Sequence, residues 1–433
     1  VARADGSDPV VVAGGRAEAV GQPRFAPAGP DRLAFVSDRD GWMTLSIVTG
    51  AGGRGGVRIG SGDDHEHATP AWGPGQRSFA WSPDGTHLAW VREEDGFARL
   101  MIGVADALGS GEVRARSRGR HHHLDWGRGG LLCVRSGART VPTVTVLDPD
   151  GDGRTEVARA PGADLAAAVD PVEPTVVAWR ADDGTEVRGL RYGPADPTRS
   201  LLVDVHGGPA DQAVVEWGPR VQALVAAGWT VLRPDPRGST GRGRVFTVAL
   251  DGGWGVTDVG DVLAGIRAAV ADGTADPRRI AVGGGSAGGF TALNVALAAP
   301  ELVRAVVAPY PVTDLLALAA STHRFEEHSL DRLVGPLPAA EAEYRARSPI
   351  THAARLAVPV LVLQGADDRV VSSASSAAFV DAVRAAGGAA ELVVYPGEGH
   401  GWRSPATALD ALARTLDFLD RALRPGSGTP PSA

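Results

Sequence analysis

The sequence predicts two domains: an all-β domain over residues 1–175 and an α/β domain over residues 176–424, whose mostly parallel sheet is covered by helices on both faces. Two observations carry this prediction. Up to about residue 175, short strand-like segments are separated by Gly, Asp and Pro, and no stretch has a helical hydrophobic period. After about residue 180, short apolar runs of buried-strand length alternate with helical stretches. Residues 425–433 are rich in Gly, Ser and Pro and are predicted to be a disordered tail.

The all-β region contains a weak repeat with the spacing of propeller blades. Aromatic residues that mark the repeat, Phe25, Trp72 and Trp126, lie 47 and 54 residues apart, and a pair of predicted strands follows each of them. The clearest unit is the hairpin Trp81–Trp90, with a tight turn predicted at Pro83–Gly85. Repeats of roughly 40–50 residues with four short strands each are typical of β-propellers. Only three or four blades fit before residue 175, so we expect a propeller-like domain that is truncated.

In the α/β region the sequence predicts six strands and five helices. The strands are 200–205, 229–233, 279–283, 304–308, 359–364 and 391–395. The helices are 215–227, 256–272, 287–299, 376–386 and 405–423. This alternation implies crossover connections and therefore parallel strands.

Composition and charge exclude several classes of function. The 433 residues carry a formal net charge of −8 with no basic block, which is unfavourable for binding nucleic acid or an anionic membrane. Cys133 is the only cysteine, so neither an intrachain disulfide nor a thiolate metal cluster can form within the chain. No apolar run is long enough to span a membrane, and no signal-peptide pattern opens the sequence, so we expect a cytoplasmic protein. The oligomeric state is left open by the sequence.

The strongest motif is the segment 284–288, Gly-Gly-Ser-Ala-Gly, which follows a short apolar strand and opens a predicted helix. This is the context of a nucleophile elbow, G-x-S-x-G, in which a sharp turn presents the Ser286 hydroxyl at a helix N-terminus. The same segment satisfies G-x-G-x-x-G through Gly283, Gly285 and Gly288. That dinucleotide-binding alternative is weak, because the strand is not the first of its unit and no ribose-binding acid is evident.

An acid and a histidine follow Ser286 in the order that nucleophilic catalysis needs. Asp367 lies just past the predicted strand 359–364, and His400 lies in a Gly-rich loop just past the strand 391–395. An acid at that place can accept the ring N–H of the His, fix its tautomer and stabilise the imidazolium. Ser, then acid, then His is the order of the α/β-hydrolase fold. Asp368 is the open alternative for the acid, and we favour Asp367 because it lies nearer to the end of the strand.

A fourth segment, His206-Gly207-Gly208-Pro209, follows the strand 200–205. Acyl transfer needs two donors for the oxyanion of the tetrahedral intermediate. One donor is expected to be the backbone N–H of Ala287, directly after the nucleophile, and the other the N–H of Gly208, because His-Gly-Gly loops serve this role in esterases. An ordinary strand-to-loop turn is the alternative.

Taken together, eight segments carry a specific resemblance. They are His206–Pro209, Arg237–Gly243, Trp254-Gly255 with Asp258 and Asp261, Gly284–Gly289, Thr322–Glu326, Ser348–Ile350, Asp367 and Gly399–Gly401. In these segments, collinear over about residues 180–422, the sequence resembles the prolyl oligopeptidase family of serine peptidases. The resemblance is strongest to the acylaminoacyl-peptidase and dipeptidyl-aminopeptidase-like branch of that family.

This resemblance implies an α/β-hydrolase domain preceded by a β-propeller, and a peptidase of short peptides whose triad is Ser286, Asp367 and His400. No cofactor is implied. It also implies that Arg369 holds a backbone carbonyl of the substrate, and a surface ion pair is the alternative of equal weight. Acylaminoacyl-peptidase, dipeptidyl-peptidase and oligopeptidase activities all fit. The alternatives are a carboxylesterase on the same fold and a non-catalytic propeller scaffold, and the complete triad argues against the scaffold.

Two further clusters are interpreted as structural. Glu93-Glu94 resembles the glutamate pair with which dipeptidyl-peptidase-IV-like enzymes hold a free N-terminus, but it precedes Asp95-Gly96 and is interpreted as a solvated hairpin turn. The run 121–123, His-His-His, cannot ligate one metal from an extended strand, because adjacent side chains face opposite sides. The sequence therefore predicts no metal site.

Overall fold

The computed structural model describes residues 1, 6–29, 31–50, 57–69, 75–163, 170–322, 326 and 328–423. They form two compact units. The first comprises Val1–Glu173, Val214–Pro219 and Thr240–Thr247, and the second comprises Pro174–Ala213, Arg220–Ser239 and Val248–Ala433. The predicted tail 425–433, Trp72 of the repeat and residues 323–325 of the family-like segment Thr322–Glu326 lie outside the described residues.

The described residues of the first unit form twelve strands, in three antiparallel sheets of four strands that follow chain order. The first sheet is β1 (Val20–Phe25), β2 (Arg32–Ser37), β3 (Thr44–Thr49) and β4 (Val57–Gly60). The second is β5 (Phe79–Trp81), β6 (His87–Glu94), β7 (Phe97–Val104) and β8 (Val113–Arg118). The third is β9 (Arg120–Gly127), β10 (Gly130–Gly137), β11 (Thr140–Leu147) and β12 (Arg154–Arg159). Three four-stranded meanders agree with the propeller-like architecture that the repeat predicts.

Local chemistry explains the hairpins of these sheets. The predicted turn between β5 and β6 is confirmed: Gly85 has a φ of +71° and donates its N–H to the Ser82 carbonyl at 2.8 Å. Side chains on one face of the strands build an apolar core, to which Phe79, Leu88 and Trp90 contribute fully buried side chains. Period-two alternation of burial along β11 is the pattern expected of a strand with one face on a core.

Two short segments that the sequence placed in the α/β domain belong to the first unit, 214–219 and 240–247. Their backbone groups are satisfied by groups of the blades. The N–H of Val215 donates to the Gly96 carbonyl at 2.7 Å, and the N–H of Gly243 donates to the Glu66 carboxylate at 3.2 Å. The helix predicted over 215–227 therefore begins only at Pro219, a residue whose fixed φ suits the first helical position.

The second unit has one sheet of eight strands, β13 (Thr175–Arg180), β14 (Glu186–Tyr192), β15 (Leu201–Val205), β16 (Thr230–Asp235), β17 (Ile280–Gly284), β18 (Ala305–Pro309), β19 (Val360–Gly365) and β20 (Ala390–Tyr395). Their order across the sheet is β13-β14-β16-β15-β17-β18-β19-β20. The strands β15 to β20 pair in parallel, and β13 and β14 pair antiparallel. All six predicted strands are present, and the β13–β14 hairpin is an addition that the sequence analysis missed.

Helices connect these strands. They are α1 (Pro219–Ala226), α2 (Gly243–Val248), α3 (Thr257–Ala271), α4 (Ala287–Ala298), α5 (Leu315–Ser321), α6 (Ser329–Leu333), α7 (Glu341–Arg347), α8 (Ser373–Ala385) and α9 (Pro405–Leu423). Short 3-10 turns span Ala105–Ala107, Pro277–Arg279 and Pro349–Arg355. The predicted helices 256–272, 287–299, 376–386 and 405–423 correspond to α3, α4, α8 and α9.

Both faces of the eight-stranded sheet are covered. Adjacent residues of a strand point to opposite faces, and Leu202 and Val203 of β15 are both fully buried. On one face, Val203 shares a core with side chains of α3, α4 and α8, such as Ile266, Leu293 and Phe379. This is the α/β-hydrolase architecture that the strand–helix alternation predicts. No helix in the described part of the chain is long and apolar enough to cross a lipid bilayer.

Candidate active site

Ser286 occupies a strained turn between β17 and α4. Its φ of 57° and ψ of −123° lie where a residue with a side chain is rarely found. Backbone hydrogen bonds hold it there: its N–H donates to the Pro309 carbonyl at 3.2 Å, and its carbonyl accepts the N–H of Phe290 at 3.1 Å. A strained residue whose surroundings fix its conformation is typical of a functional site. The geometry is that of a nucleophile elbow.

The glycines that flank Ser286 are required by close backbone packing. A Cβ at Gly288 would lie 2.6 Å from the His206 carbonyl oxygen and closer still to that of Val205. A Cβ at Gly284 would also collide with the Val205 carbonyl oxygen. The start of α4 therefore lies directly on the end of β15. A Cβ at Gly285 would lie 2.8 Å from the Tyr310 ring, so this glycine is required by the close approach of an aromatic side chain.

The acid that contacts His400 is Asp368, and our choice of Asp367 is wrong in this geometry. The Asp368 Oδ2 lies 2.8 Å from the His400 Nδ1, and the Asp368 carboxylate is fully buried. Asp367 is exposed, and its backbone N–H donates to the Glu398 carbonyl at 2.9 Å. The chain turns within 365–368, so the first acid after the strand points to solvent and the second points inward. Nearness to the end of the strand is therefore a poor guide to direction.

The Asp368 carboxylate is held in its ionised form. Burial alone would raise the pKa of Asp368, but the hydrogen bond from His400 and the backbone N–H groups of Val370 and Val371 outweigh burial and lower it. Those N–H groups donate to Oδ1 at 2.8 and 2.9 Å. Because an ionised carboxylate only accepts hydrogen bonds, the His400 Nδ1 carries a proton in this pair. The other ring nitrogen, Nε2, is then able to accept a proton.

Two loops fix the position of His400. A Cβ at Gly365 would lie 2.5 Å from the Glu398 carbonyl oxygen, so the loop after β19 and the loop after β20 pack backbone to backbone. The Glu398 side chain accepts the N–H groups of Arg403 at 2.7 Å and Ser404 at 3.0 Å, which ties the His400 loop to the start of α9. The sequence analysis missed Glu398, although it lies two residues before His400.

An aromatic side chain lies against the His400 ring. The ring centroids of Tyr310 and His400 are 4.7 Å apart, and Trp402 lies 5.4 Å from Tyr310 on an edge-to-face contact. Tyr310 itself has a φ of 38°, a second strained residue beside Ser286. Tyr310 follows β18 directly, and neither a hydrophobic period nor a sequence motif marks this position. It was also missed from the sequence.

The loop 206–209 lies against the nucleophile turn. A Cβ at Gly207 would lie 3.4 Å from the Ser286 Cβ, and Gly208 has a φ of +119°, which strains any side chain. The His206 ring spans 2.8 Å contacts to the Ser239 Oγ and to the Gly207 carbonyl, which holds the loop. Ala287 is the first residue of α4, so its N–H has no acceptor within the helix. Both predicted oxyanion donors, Gly208 and Ala287, thus belong to segments that adjoin Ser286.

Two of the family-like acids brace the helices behind the site. The Asp258 carboxylate accepts hydrogen bonds from the Thr291 hydroxyl of α4 at 2.6 Å and the Gly255 N–H at 2.6 Å, and burial raises the pKa of Asp258 to about 6. The buried Asp261 forms a two-pronged ion pair with Arg237. These contacts join α3 to α4 and to the loop after β16.

Arg369, the predicted substrate-binding residue, and Glu93, predicted to be solvated, differ in exposure and in ion pairing. Arg369 is exposed directly after Asp368, and within the described ranges no acid lies at ion-pair distance from it.

Glu93 is buried and paired with Arg120, and Glu94 is paired with Arg92 and Arg99. The hairpin predicted at Asp95-Gly96 is present, but the expectation that the Glu93 carboxylate is solvated is wrong, because the β9 strand carries Arg120 against it.

Comparison with known proteins finds similarity to peptidases. A model of the prolyl oligopeptidase family matches residues 216–426. The chain is 32% identical over 236 residues to dipeptidyl aminopeptidase BIII of Pseudoxanthomonas mexicana, which covers 53% of this chain and 34% of that protein. It is 30% identical over 236 residues to an acylamino-acid-releasing enzyme of Arabidopsis thaliana, which covers 53% of this chain and 30% of that protein.

Among solved structures, a puromycin-hydrolyzing peptidase of Mycobacterium tuberculosis superposes with a TM-score of 0.87. The two are 29% identical, and the superposition covers 97% of this chain and 64% of that one. The likeness therefore includes the blades of the first unit as well as the α/β unit. The chain spans about a third of the length of the curated relatives that it matches.

Proposed function

We propose that the protein is a serine peptidase of the prolyl oligopeptidase family, whose model matches residues 216–426, and that it hydrolyses short peptides through an acyl-enzyme. One observation carries the proposal. Ser286 lies in a strained elbow after β17, and the hydrogen-bonded pair Asp368–His400 follows β19 and β20 of the same parallel sheet. Carboxyl ends of parallel strands meet at one edge of a sheet, which is where active sites of such folds are built.

The proposed reaction follows from the protonation states of the site. The His400 Nε2 takes the proton of the Ser286 hydroxyl while the Oγ attacks the substrate carbonyl carbon, and the carbonyl oxygen becomes an oxyanion. The N–H groups of Gly208 and Ala287 donate to that oxyanion. His400 then gives its proton to the leaving amine as the C–N bond breaks. Asp368 stabilises the imidazolium and is not protonated.

Water completes the cycle in the same sequence of steps. His400 removes a proton from water, the hydroxide oxygen attacks the acyl carbon, and the Ser286 Oγ leaves with the proton that His400 returns. Every proton and electron pair is supplied by the substrate, by water and by these side chains. The proposal therefore includes no cofactor.

Substrate class is tested by parallel assays on amides and esters. We expect the wild-type chain to hydrolyse short peptide amides, and Ser286→Ala to hydrolyse none of them. N-acylated peptides, free dipeptide amides and puromycin separate the activities that the names of the relatives suggest. Hydrolysis of esters alone would replace the peptidase with a carboxylesterase, and no turnover of any substrate by the folded chain would contradict both.

Arg369 is proposed to bind a backbone carbonyl of the substrate. Arg369→Ala is expected to lower kcat/KM for peptides by about 10- to 100-fold, because a hydrogen bond from a charged donor is lost. A small activated ester has no such carbonyl, so its hydrolysis should change less than about twofold. Arg355→Ala, which removes another exposed arginine at the end of a 3-10 turn, is the matched control. Equal losses on peptide and ester would contradict the substrate role.

A further inference from the structure

Gln364 is a fully buried amide at the end of β19, in a strand whose other side chains are apolar. Its Nε2 lies 3.1 Å from the Asp368 Oδ2, 3.2 Å from the Gly365 carbonyl oxygen and 3.3 Å from that of Val371. Its Oε1 accepts the hydroxyl of Ser376 at 2.7 Å. Ser376 belongs to α8 and is also fully buried.

The partners of Gln364 allow only one orientation of its amide. The three atoms around Nε2 are a carboxylate oxygen and two carbonyl oxygens, all of which only accept hydrogen bonds. A flipped amide would direct Oε1 at these three acceptors, so that oxygen lone pairs would face one another in a buried place without a hydrogen between them. The Ser376 hydroxyl can donate to Oε1 and completes the arrangement. The Nε2 donor is therefore directed at Asp368.

We propose that Gln364, oriented by Ser376, is a positioning residue that holds the Asp368 carboxylate toward the Nδ1 of His400. This inference rests on the proposed function for its catalytic meaning, but the interaction that it describes is measurable without turnover. Gln364 touches neither the substrate nor the Ser286 Oγ in the proposed reaction. It acts through Asp368.

With Gln364 in place, the carboxylate has four donors. The N–H groups of Val370 and Val371 donate to Oδ1, and Gln364 and His400 donate to Oδ2. Rotation of the carboxylate would break all of them. Without the Gln364 donor, His400 is the partner that Oδ2 keeps among the described residues, and more of the carboxylate charge is directed at the imidazole.

The other ionisable groups around the Asp368–His400 pair are packed against it, are occupied by other partners or are exposed to solvent. Tyr310 lies against the His400 ring, and burial raises the pKa of its phenol. Glu398 is occupied by backbone N–H groups, and Asp367 and Arg369 are exposed on the Asp368 loop. The Arg403 guanidinium lies 4 Å from the place of a Cβ at Gly399. Beyond Tyr310, Asp204 and Arg220 are paired with one another. These groups are unchanged in the variants below.

The test measures the imidazole of His400 by NMR as a function of pH in wild type and three variants, with His400→Gln to assign the signal. Gln364→Met keeps the length and removes the donor, so the midpoint of the His400 titration should move to higher pH. Gln364→Glu places a second carboxyl group beside Asp368, and two buried carboxyl groups at this distance hold one proton between them. The protonated new group then donates to Asp368 in place of the amide, so the midpoint should stay close to that of wild type. Ser376→Ala should lie between Gln364→Met and wild type.

Activity provides the second readout. In Gln364→Met, kcat/KM should fall by about 10- to 100-fold, and the acid limb of its pH profile should move with the NMR midpoint. Thr415→Val removes another buried hydroxyl, which donates to a carbonyl within α9, and controls for a general loss of stability. A folded Gln364→Met variant with an unmoved His400 midpoint would overturn the inference. If the wild-type chain hydrolyses no substrate, the proposed function fails, and the NMR titration of His400 still tests the role of Gln364.

Discussion

Asp368→Asn should lower kcat/KM by about 10⁴-fold, as expected when the carboxylate of a Ser-His-Asp triad becomes an amide, whereas Asp367→Asn should leave it within about twofold. The structure gives a specific reason. The N–H groups of Val370 and Val371 require an acceptor at the Oδ1 position, so the carbonyl of the new amide must face them. Its NH₂ group then faces the His400 Nδ1.

That arrangement changes the tautomer of the His400 imidazole. A donor at Nδ1 forces the proton of His400 onto Nε2, and a protonated Nε2 cannot accept the proton of Ser286. Asp367 is exposed and is joined to the site through its backbone N–H alone, which the substitution retains. Steady-state kinetics of both variants, with circular dichroism to verify folding, decides between them. A crippled Asp367→Asn beside an active Asp368→Asn would contradict the assignment of the acid.

Gly288→Ala should lower kcat/KM by about 100-fold or more and destabilise the fold. The new Cβ would lie 2.6 Å from the His206 carbonyl oxygen and closer to that of Val205, and neither backbone group can move without displacing β15 or the loop 206–209. Overpacking of this kind typically costs about 1–3 kcal/mol of the free energy of unfolding. Because Ser286 lies two residues away, a shift of α4 by about 1 Å is enough for the loss of rate.

Gly260→Ala is the matched control for that variant. Gly260 lies within α3, nothing surrounds the place of its Cβ within 4 Å, and alanine favours a helix over glycine. The free energy of unfolding should therefore stay equal or rise by about 0.5–1 kcal/mol, with unchanged kinetics. Chemical denaturation and steady-state kinetics compare the two. A Gly288→Ala variant as stable and active as Gly260→Ala would show that the elbow does not depend on this close packing.

Much of the fold follows from the sequence because local patterns specify it. The parallel strands are short apolar runs, and the turn Ser82–Gly85 is specified by its own residues. The Ser286 elbow is likewise marked by glycines that the structure shows to be sterically required, Gly284 and Gly288. The His400 loop is marked by Gly397 and Gly401, whose φ values of +76° and +112° favour glycine. These are features in which a few neighbouring residues determine the backbone.

Features of the fold and the site that depend on distant residues could not be predicted from local sequence patterns. The choice between Asp367 and Asp368 depends on the direction of a turn that packs on the Glu398 carbonyl. The start of α1 depends on a hydrogen bond from Val215 to a hairpin more than a hundred residues earlier in the chain. Gln364 carried the one usable signal, since a buried amide in an otherwise apolar strand needs partners.

Labelling with a fluorophosphonate, followed by intact mass measurement of wild type and Ser286→Ala, tests the central claim most directly. A serine that His400 can deprotonate should form one covalent adduct on the wild-type chain, and Ser286→Ala should form none. Asp367→Asn should be labelled at the wild-type rate, and Asp368→Asn far more slowly. An unlabelled, folded wild-type chain, or a Ser286→Ala chain that still takes up one adduct, would contradict the assignment of Ser286 as the nucleophile.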